Sequence, residues 1–219
     1  MVEKVQITLK DGGIREYDYG ASARDVAESL GGGIAQTTVA AEVNGKLIDL
    51  SAPFPGNCTV NLLTADTPGG LEVLRHTASH VMAQAVKRLD PKAKLAIGPS
   101  IENGFYYDFD LANAFTPDDL VKIEDEMGHI IKEDLPLERF ILCREEALRY
   151  LTEREEPYKV ELVRDLPKDV DISFYRQGDF VDLCAGPHLG YRTKRGLQFG
   201  KNSLYAILSI KLHGNCLFV

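Results

Sequence analysis

Over residues 1–65 apolar and polar positions alternate in short runs broken by glycines. KVQITLK (4–10) and REYDY (15–19) alternate with the two-residue period of a strand. DGG (11–13) between them is a turn signal, so 4–19 is a predicted hairpin. SARDVAESLGGG (22–33) opens on a serine with an aspartate three residues on and closes on glycines, the marks of a capped helix with a glycine stop. AAEVNGKLIDL (40–50) reads as a second hairpin around Asn44-Gly45, and CTVNLLTA (58–65) as a last strand.

The pattern changes after Thr67-Pro68-Gly69-Gly70, which reads as a linker. LEVLRHTASHVMAQAVKRLDP (71–91) has helical spacing, with an apolar stripe of Leu71, Leu74, Ala78, Val81, Met82, Ala85 and Leu89. His76 and His80 share a different face, so the helix is expected to pack one side on a core and offer two imidazoles on the other. LAIGPSIENGFYYDFD (95–110) reads as strand, glycine turn and strand. Thr116-Pro117 opens a helix to about Glu133 with Leu120, Ile123, Met127 and Ile130 on one face. A strand at 137–143, a helix at 144–155 and a hairpin of 174–177 with 180–184 follow. The predicted class is α+β. The opening order β-β-α-β-β-β suits a ubiquitin-like β-grasp, followed by a larger α+β domain.

Composition adds limits. The 219 residues are 44% hydrophobic and 26% charged, ordinary for a soluble globular protein. No apolar run approaches the roughly eighteen residues a membrane span needs, and MVEKVQITLKDGG lacks a signal-peptide core, so a cytoplasmic location is expected. The net charge of −8 argues against a broad nucleic-acid groove, though not against gripping the end of a nucleic acid. The acids are unevenly spread: all 33 lie in residues 1–182, and 183–219 hold five basic residues and no acid. Four scattered cysteines, Cys58, Cys143, Cys184 and Cys216, read as free thiols in a reducing compartment.

The candidate chemistry lies in two short stretches, HTASH (76–80) and CAGPH (184–188). Each puts two ligating side chains four residues apart. Together they can hold zinc in a tetrahedron of imidazoles and thiolate. The same residues could hydrolyse an ester without metal, since histidine is the commonest general base near neutral pH. There is no HExxH, because Thr77 follows His76. Spacing alone leaves metal site and acid–base site open. Asp182, two before Cys184 on a strand, points to the same side as Cys184 and could hold a cation or orient a histidine. By spacing Lys159 is a surface lysine after a Glu-Pro-Tyr turn, His129 a solvated or helix-packing histidine on an acidic helix face, and His213 has no role.

Four strings carry a family resemblance: GLEVLRHTASHVMAQAVKRL, AIGPSIENGFYYDFD, EEPYKVEL and FVDLCAGPH. Residues 1–66 resemble the TGS domain, a β-grasp. Residues 67–188 resemble the second additional, editing domain shared by threonyl- and alanyl-tRNA synthetases, and over roughly 1–188 the chain is similar to the N-terminal half of bacterial threonyl-tRNA synthetases. The resemblance implies hydrolysis of serine wrongly attached to tRNA(Thr), with the 3′ end of that tRNA as partner. It implies catalytic roles for His76, His80, Lys159, Asp182, Cys184 and His188, and substrate contacts for Tyr107 and Asp182. Alanyl-type editing domains use the matching histidines and cysteine for zinc. Asp182 and Lys159 match the threonyl version, so no metal is expected; the alternative is Zn2+ through His76, His80, Cys184 and His188.

The resemblance stops after CAGPH. The catalytic core of the family does not follow, so no ATP site, no aminoacylation and no core-mediated homodimer are expected of this chain. The tail 189–219 departs from the family and is the stretch that lacks acids, which points to a shifted reading frame or a disrupted gene. The other functional reading left open is a non-catalytic fragment that binds RNA or protein.

Overall fold

The structure is a computed structural model that describes residues 3–190, 211–213 and 216–218, with side chains described over 3–190. Most of the divergent tail, 191–210 with 214, 215 and 219, lies outside the described residues. The fold is α+β, and the chain divides into two compact units.

Within the described residues the first unit holds 3–74 and 186–190. Its elements are β1 (Lys4–Leu9), β2 (Ile14–Asp18), α1 (Ala23–Leu30), the one-turn α2 (Ile34–Thr37), β3 (Thr38–Val43), β4 (Lys46–Ile48) and β5 (Cys58–Thr64). The sheet order is β2-β1-β5-β3-β4, with β1 and β5 parallel. In β1, Val5 and Ile7 point into the core while Lys4 and Gln6 face out, the period-2 alternation read as burial. α1 starts where expected because the Asp25 carboxylate accepts the Ser22 backbone N–H at 2.8 Å. Asn44 and Gly45 both take left-handed φ, 48° and 79°, which a two-residue hairpin of this type demands. Val26 on α1 packs with Ala41, Val43, Phe54 and Val60 to form the core.

α3 (Pro68–Leu89) begins in this unit and starts three residues earlier than the spacing predicted. The expected linker is therefore its first turn. Pro68 suits the start of a helix, and Gly70 lies against the end of β5, where a Cβ would stand 2.0 Å from the Thr64 carbonyl oxygen. The glycines that looked like punctuation allow the helix to start this close to a strand.

In the second unit α3 runs on from Arg75. It is followed by β6 (Lys94–Leu95), β7 (Ser100–Ile101), β8 (Gly104–Asp110), α4 (Pro117–Glu133), β9 (Leu137–Leu142), α5 (Arg144–Glu153), α6 (Pro157–Asp165), β10 (Ile172–Gln177) and β11 (Phe180–Leu183). β9, β10 and β11 form one antiparallel sheet. In the other, β8 pairs with β6 and β7 and, on its far side, with the tail strand β13 (Cys216–Phe218), itself paired with β12 (Lys211–His213).

Two expectations change here. α3 is not half-exposed: residues 77–86 are all buried, because β8 and α4 supply a core that reaches Ala78, Met82 and Ala85 while other elements cover the remaining face. Leu89, expected in its stripe, is 48% exposed at the helix end. The Glu-Pro-Tyr stretch 156–158, expected as a turn, instead opens α6: Pro157 starts the helix, and Val160 and Val163 pack with Ala147 and Leu151 of α5 and Phe174 of β10.

Candidate functional site

The second unit brings six of the seven sequence-identified site residues together or side by side. Asp182, on β11, is the hub. Its side chain is buried, at 4% residue exposure, and its Oδ1 lies 2.8 Å from the Nζ of Lys159, also 4% exposed. The hydroxyl of fully buried Tyr107 on β8 donates to Asp182 Oδ2 at 2.6 Å and accepts from Lys159 Nζ at 3.1 Å. His80 Nε2 stands 3.7 Å from the same Oδ2. Lys159 is thus neither a surface lysine nor on a turn; it is the third residue of α6 and points inward.

His76 and His80 lie one helical turn apart, and their rings meet edge to face with centroids 5.3 Å apart. His76 Nε2 is 3.2 Å from Cys184 Sγ. Cys184 follows β11 and is fixed by its backbone: its N–H donates to the Ser173 carbonyl at 3.0 Å, and the Ser173 hydroxyl donates to the Cys184 carbonyl at 2.6 Å. His188 packs with the first unit, where it is buried and its backbone N–H donates to Asp49 Oδ1 at 2.8 Å. His129 lies on the exposed face of α4 beside Glu126, as expected, 3.3 Å away.

The electrostatics separate the groups. Burial holds His80 down to about 3; the Asp182 charge opposes this, while His76 and Lys159 add to it. His80 is therefore neutral at pH 7. Burial pushes Asp182 up, but the Lys159 charge, His80 and the hydrogen bonds from Lys159 and Tyr107 outweigh it and keep the carboxyl below its ordinary value. Tyr107 is driven well above its ordinary range by burial first and the neighbouring carboxylate second. At neutral pH the cluster is an ionised carboxylate, an un-ionised phenol and a neutral imidazole around one lysine.

His76, His80 and Cys184 also place two nitrogens and a sulfur within 4.8 Å of one another. That donor set is of the kind zinc takes, so these residues could hold a metal ion. Bound there, zinc would supply a Lewis acid beside the Lys159–Asp182 pair.

Three supporting contacts were missed by sequence reasoning. Ser79 inside HTASH donates to the carbonyls of His76 and Gly98, at 2.8 and 2.7 Å. Gly98 lies flat against the Tyr107 ring, where a Cβ would be 2.0 Å from Tyr107 Cδ2. Gln84, one turn beyond His80, is buried and donates to the Gln177 carbonyl at 3.3 Å. The serine within the motif was the one available signal; the others depend on tertiary approach.

Comparison with known proteins identifies what the chain resembles. Residues 5–64 match the TGS domain family. The chain is 62% identical over 185 residues to a threonine--tRNA ligase of Acetivibrio thermocellus, 53% to one of Desulforamulus reducens and 55% to one of Clostridioides difficile. Each match covers 84% of this chain and 29% of the relative, so the chain spans under a third of the length of the curated relatives it matches. It carries a TGS domain and is homologous to the N-terminal region of threonine--tRNA ligases. Among the described residues no helix is long and apolar enough to cross a membrane.

Proposed function

We propose that this chain is an aminoacyl-ester hydrolase that removes serine from the 3′ end of mischarged tRNA(Thr). The observation that carries the reading is the buried Lys159–Asp182–Tyr107–His80 network, set beside the His76–Cys184 pair in a chain homologous to threonine--tRNA ligases. A structural ion pair alone does not require two histidines and a thiol at its edge, and perturbed groups gathered in this way favour a working site.

The chemistry is ester hydrolysis. Water attacks the seryl carbonyl, giving up a proton to His76 as general base. The tetrahedral oxyanion is met by the Lys159 ammonium. Collapse expels the ribose oxygen, which recovers the proton, leaving free serine and deacylated tRNA. His80 is neutral and braces Asp182 rather than carrying charge. Asp182 is the acceptor for the amino acid's ammonium, and Cys184 fixes the His76 ring. His188 enters this reading through the resemblance alone. Threonine exceeds serine by one methyl, worth only about 1–3 kcal/mol of discrimination in a binding pocket, so a second site that excludes the methyl is the efficient solution.

Deacylation of seryl- and threonyl-tRNA(Thr) by the full chain tests this, with Lys159→Ala alongside. Loss of serine but not threonine, abolished in the variant, is the expected result. Cleavage of neither by a folded chain refutes the reading and favours a non-catalytic RNA- or protein-binding fragment. The His76–His80–Cys184 donor set supports one alternative, a zinc-dependent ester hydrolase. Stoichiometric zinc in the purified chain, with activity lost on chelation, would select it.

A further inference from the structure

We infer that Lys87 and Glu156 are positioning residues that set the placement of Lys159; this rests on the reading of Lys159 as a working group. Glu156 caps the N-terminus of α6, three residues before Lys159. Its carboxylate is spent on two other elements. Oε1 accepts from Lys87 Nζ of α3 at 2.7 Å, and Oε2 accepts from the Leu95 backbone N–H of β6 at 3.0 Å. Lys87 in turn donates to the carbonyls of Ala93 at 2.9 Å and Pro91 at 3.3 Å. One part-buried ion pair therefore ties the start of α6 to the helix that carries His76 and His80 and to the strand that follows it.

The two ion pairs share a cavity of about 340 Å3, with Lys87 and Glu156 on its wall together with Lys159, Asp182, Gln84 and Phe180. Glu156 is 7% exposed and has no role in the proposed chemistry. A part-buried ion pair of this kind gains little net stability, so stability alone does not account for it. It does fix a helix start. Lys159 sits in the first turn of α6, so a displacement at Glu156 is passed directly to the Nζ that lies 2.8 Å from Asp182.

The test uses the full chain with Glu156→Gln, which keeps shape and removes charge, Lys87→Met, their double variant, and Glu156→Asp as the conservative change. Trace labelling with acetic anhydride, read by mass spectrometry, reports the Lys159 amine without any need for activity. Its labelling should rise several-fold in Glu156→Gln and Lys87→Met while exposed Lys46 is unchanged, with Glu156→Asp intermediate. In seryl-tRNA(Thr) deacylation kcat should fall ~10- to 100-fold, as a misplacement of about 1 Å produces. KM should stay within about twofold, because the lost interaction is made in the transition state. The double variant should be no worse than the worse single one, since the two residues act as one unit. Unchanged Lys159 labelling in every variant that folds overturns the inference, as does a rise in KM alone or independent losses that multiply. If the parent chain does not deacylate, the labelling decides alone. Raised Lys159 reactivity then supports the positioning while the functional reading falls.

Discussion

Lys159→Met isolates the energetics of the buried pair. Both partners are 4% exposed and 2.8 Å apart. Removing the ammonium leaves Asp182 with the Tyr107 hydroxyl at 2.6 Å and a neutral imidazole at 3.7 Å, which do not replace a full charge. Breaking such a pair from one side costs about 3–5 kcal/mol. A ceiling follows from protonation. An unfolded aspartate titrates near 3.9, so holding Asp182 protonated at pH 7 costs about 4 kcal/mol at roughly 1.36 kcal/mol per unit, and the charge penalty cannot exceed that. At pH 5 the same escape costs about 1.5 kcal/mol. The gap between variant and parent should therefore narrow from as much as ~4 kcal/mol near pH 7 to ~1.5 kcal/mol near pH 5. The sign is that of a carboxyl raised above its unfolded value: stability returns as pH falls. Guanidinium unfolding followed by far-ultraviolet circular dichroism, to which α3–α6 contribute most of the helix signal, reads both values. Adding Asp182→Asn to the variant should restore most of the loss, since no charge is then buried. A Lys159→Met chain as stable as its parent at pH 7, or a gap of equal size at pH 5, would refute the reasoning.

Four further outcomes are expected. His80, depressed to about 3, stays neutral in the fold but takes a proton near 6.5 when unfolded; its contribution is present above that value and lost as pH falls. In metal-free buffer the parent should lose about 2 kcal/mol more than His80→Gln between pH 7 and 5, and equal losses would count against a buried neutral His80. Gly98→Ala drives a methyl into the fully buried Tyr107 ring and should cost about 1–3 kcal/mol, read as a lower denaturant midpoint. Thr116→Ala removes the cap of α4, whose hydroxyl accepts the Asp119 N–H at 3.4 Å, and should cost about 1 kcal/mol by the same assay. Under the proposed reading, a glyceryl ester with hydroxyl in place of the seryl ammonium should be cleaved ~100-fold more slowly; equal cleavage would remove Asp182 from substrate recognition.

What the sequence revealed depended on how local the cause was. Ser22 with Asp25, Thr116 with Pro117, and Asn44-Gly45 encode caps and a turn within a few residues, and those elements lie where expected. α6 was missed because Glu156-Pro157 reads equally as a turn or as a helix start, and what selects the helix is the packing of Val160 and Val163 on α5 and β10. The Gly69-Gly70 punctuation misled for a related reason, since Gly70 answers to the nearby Thr64 carbonyl and Gly69 to the Leu63 and Leu47 side chains rather than to a break in the chain. The HTASH pair was legible from spacing, but the enclosure of α3 was not. Histidine and small residues give no sign of which neighbours will cover them. Lys159 is the extreme case: its partner Asp182 comes from another element later in the chain, and only the likeness of EEPYKVEL to a family singled it out.

The charge balance of the cluster ties these pieces together. One carboxylate faces one ammonium, while His80 and Tyr107 are held un-ionised by burial, so the closed network is electrically neutral about Asp182. Asp182 already accepts from both Lys159 and Tyr107, so under the proposed reading an ammonium arriving from a substrate must share or displace one of them. If it takes the place of Lys159, the lysine turns from a structural partner into a free cation at the moment the ester is bound. The site then holds one more positive charge than before, and the negative charge that develops on the carbonyl oxygen during attack restores neutrality. Such an arrangement favours the transition state over the bound ester, which is the condition for catalysis rather than mere binding. It also gives the burial of the pair a purpose beyond stability, because in a dry site the same exchange of partners is worth far more than it would be in water.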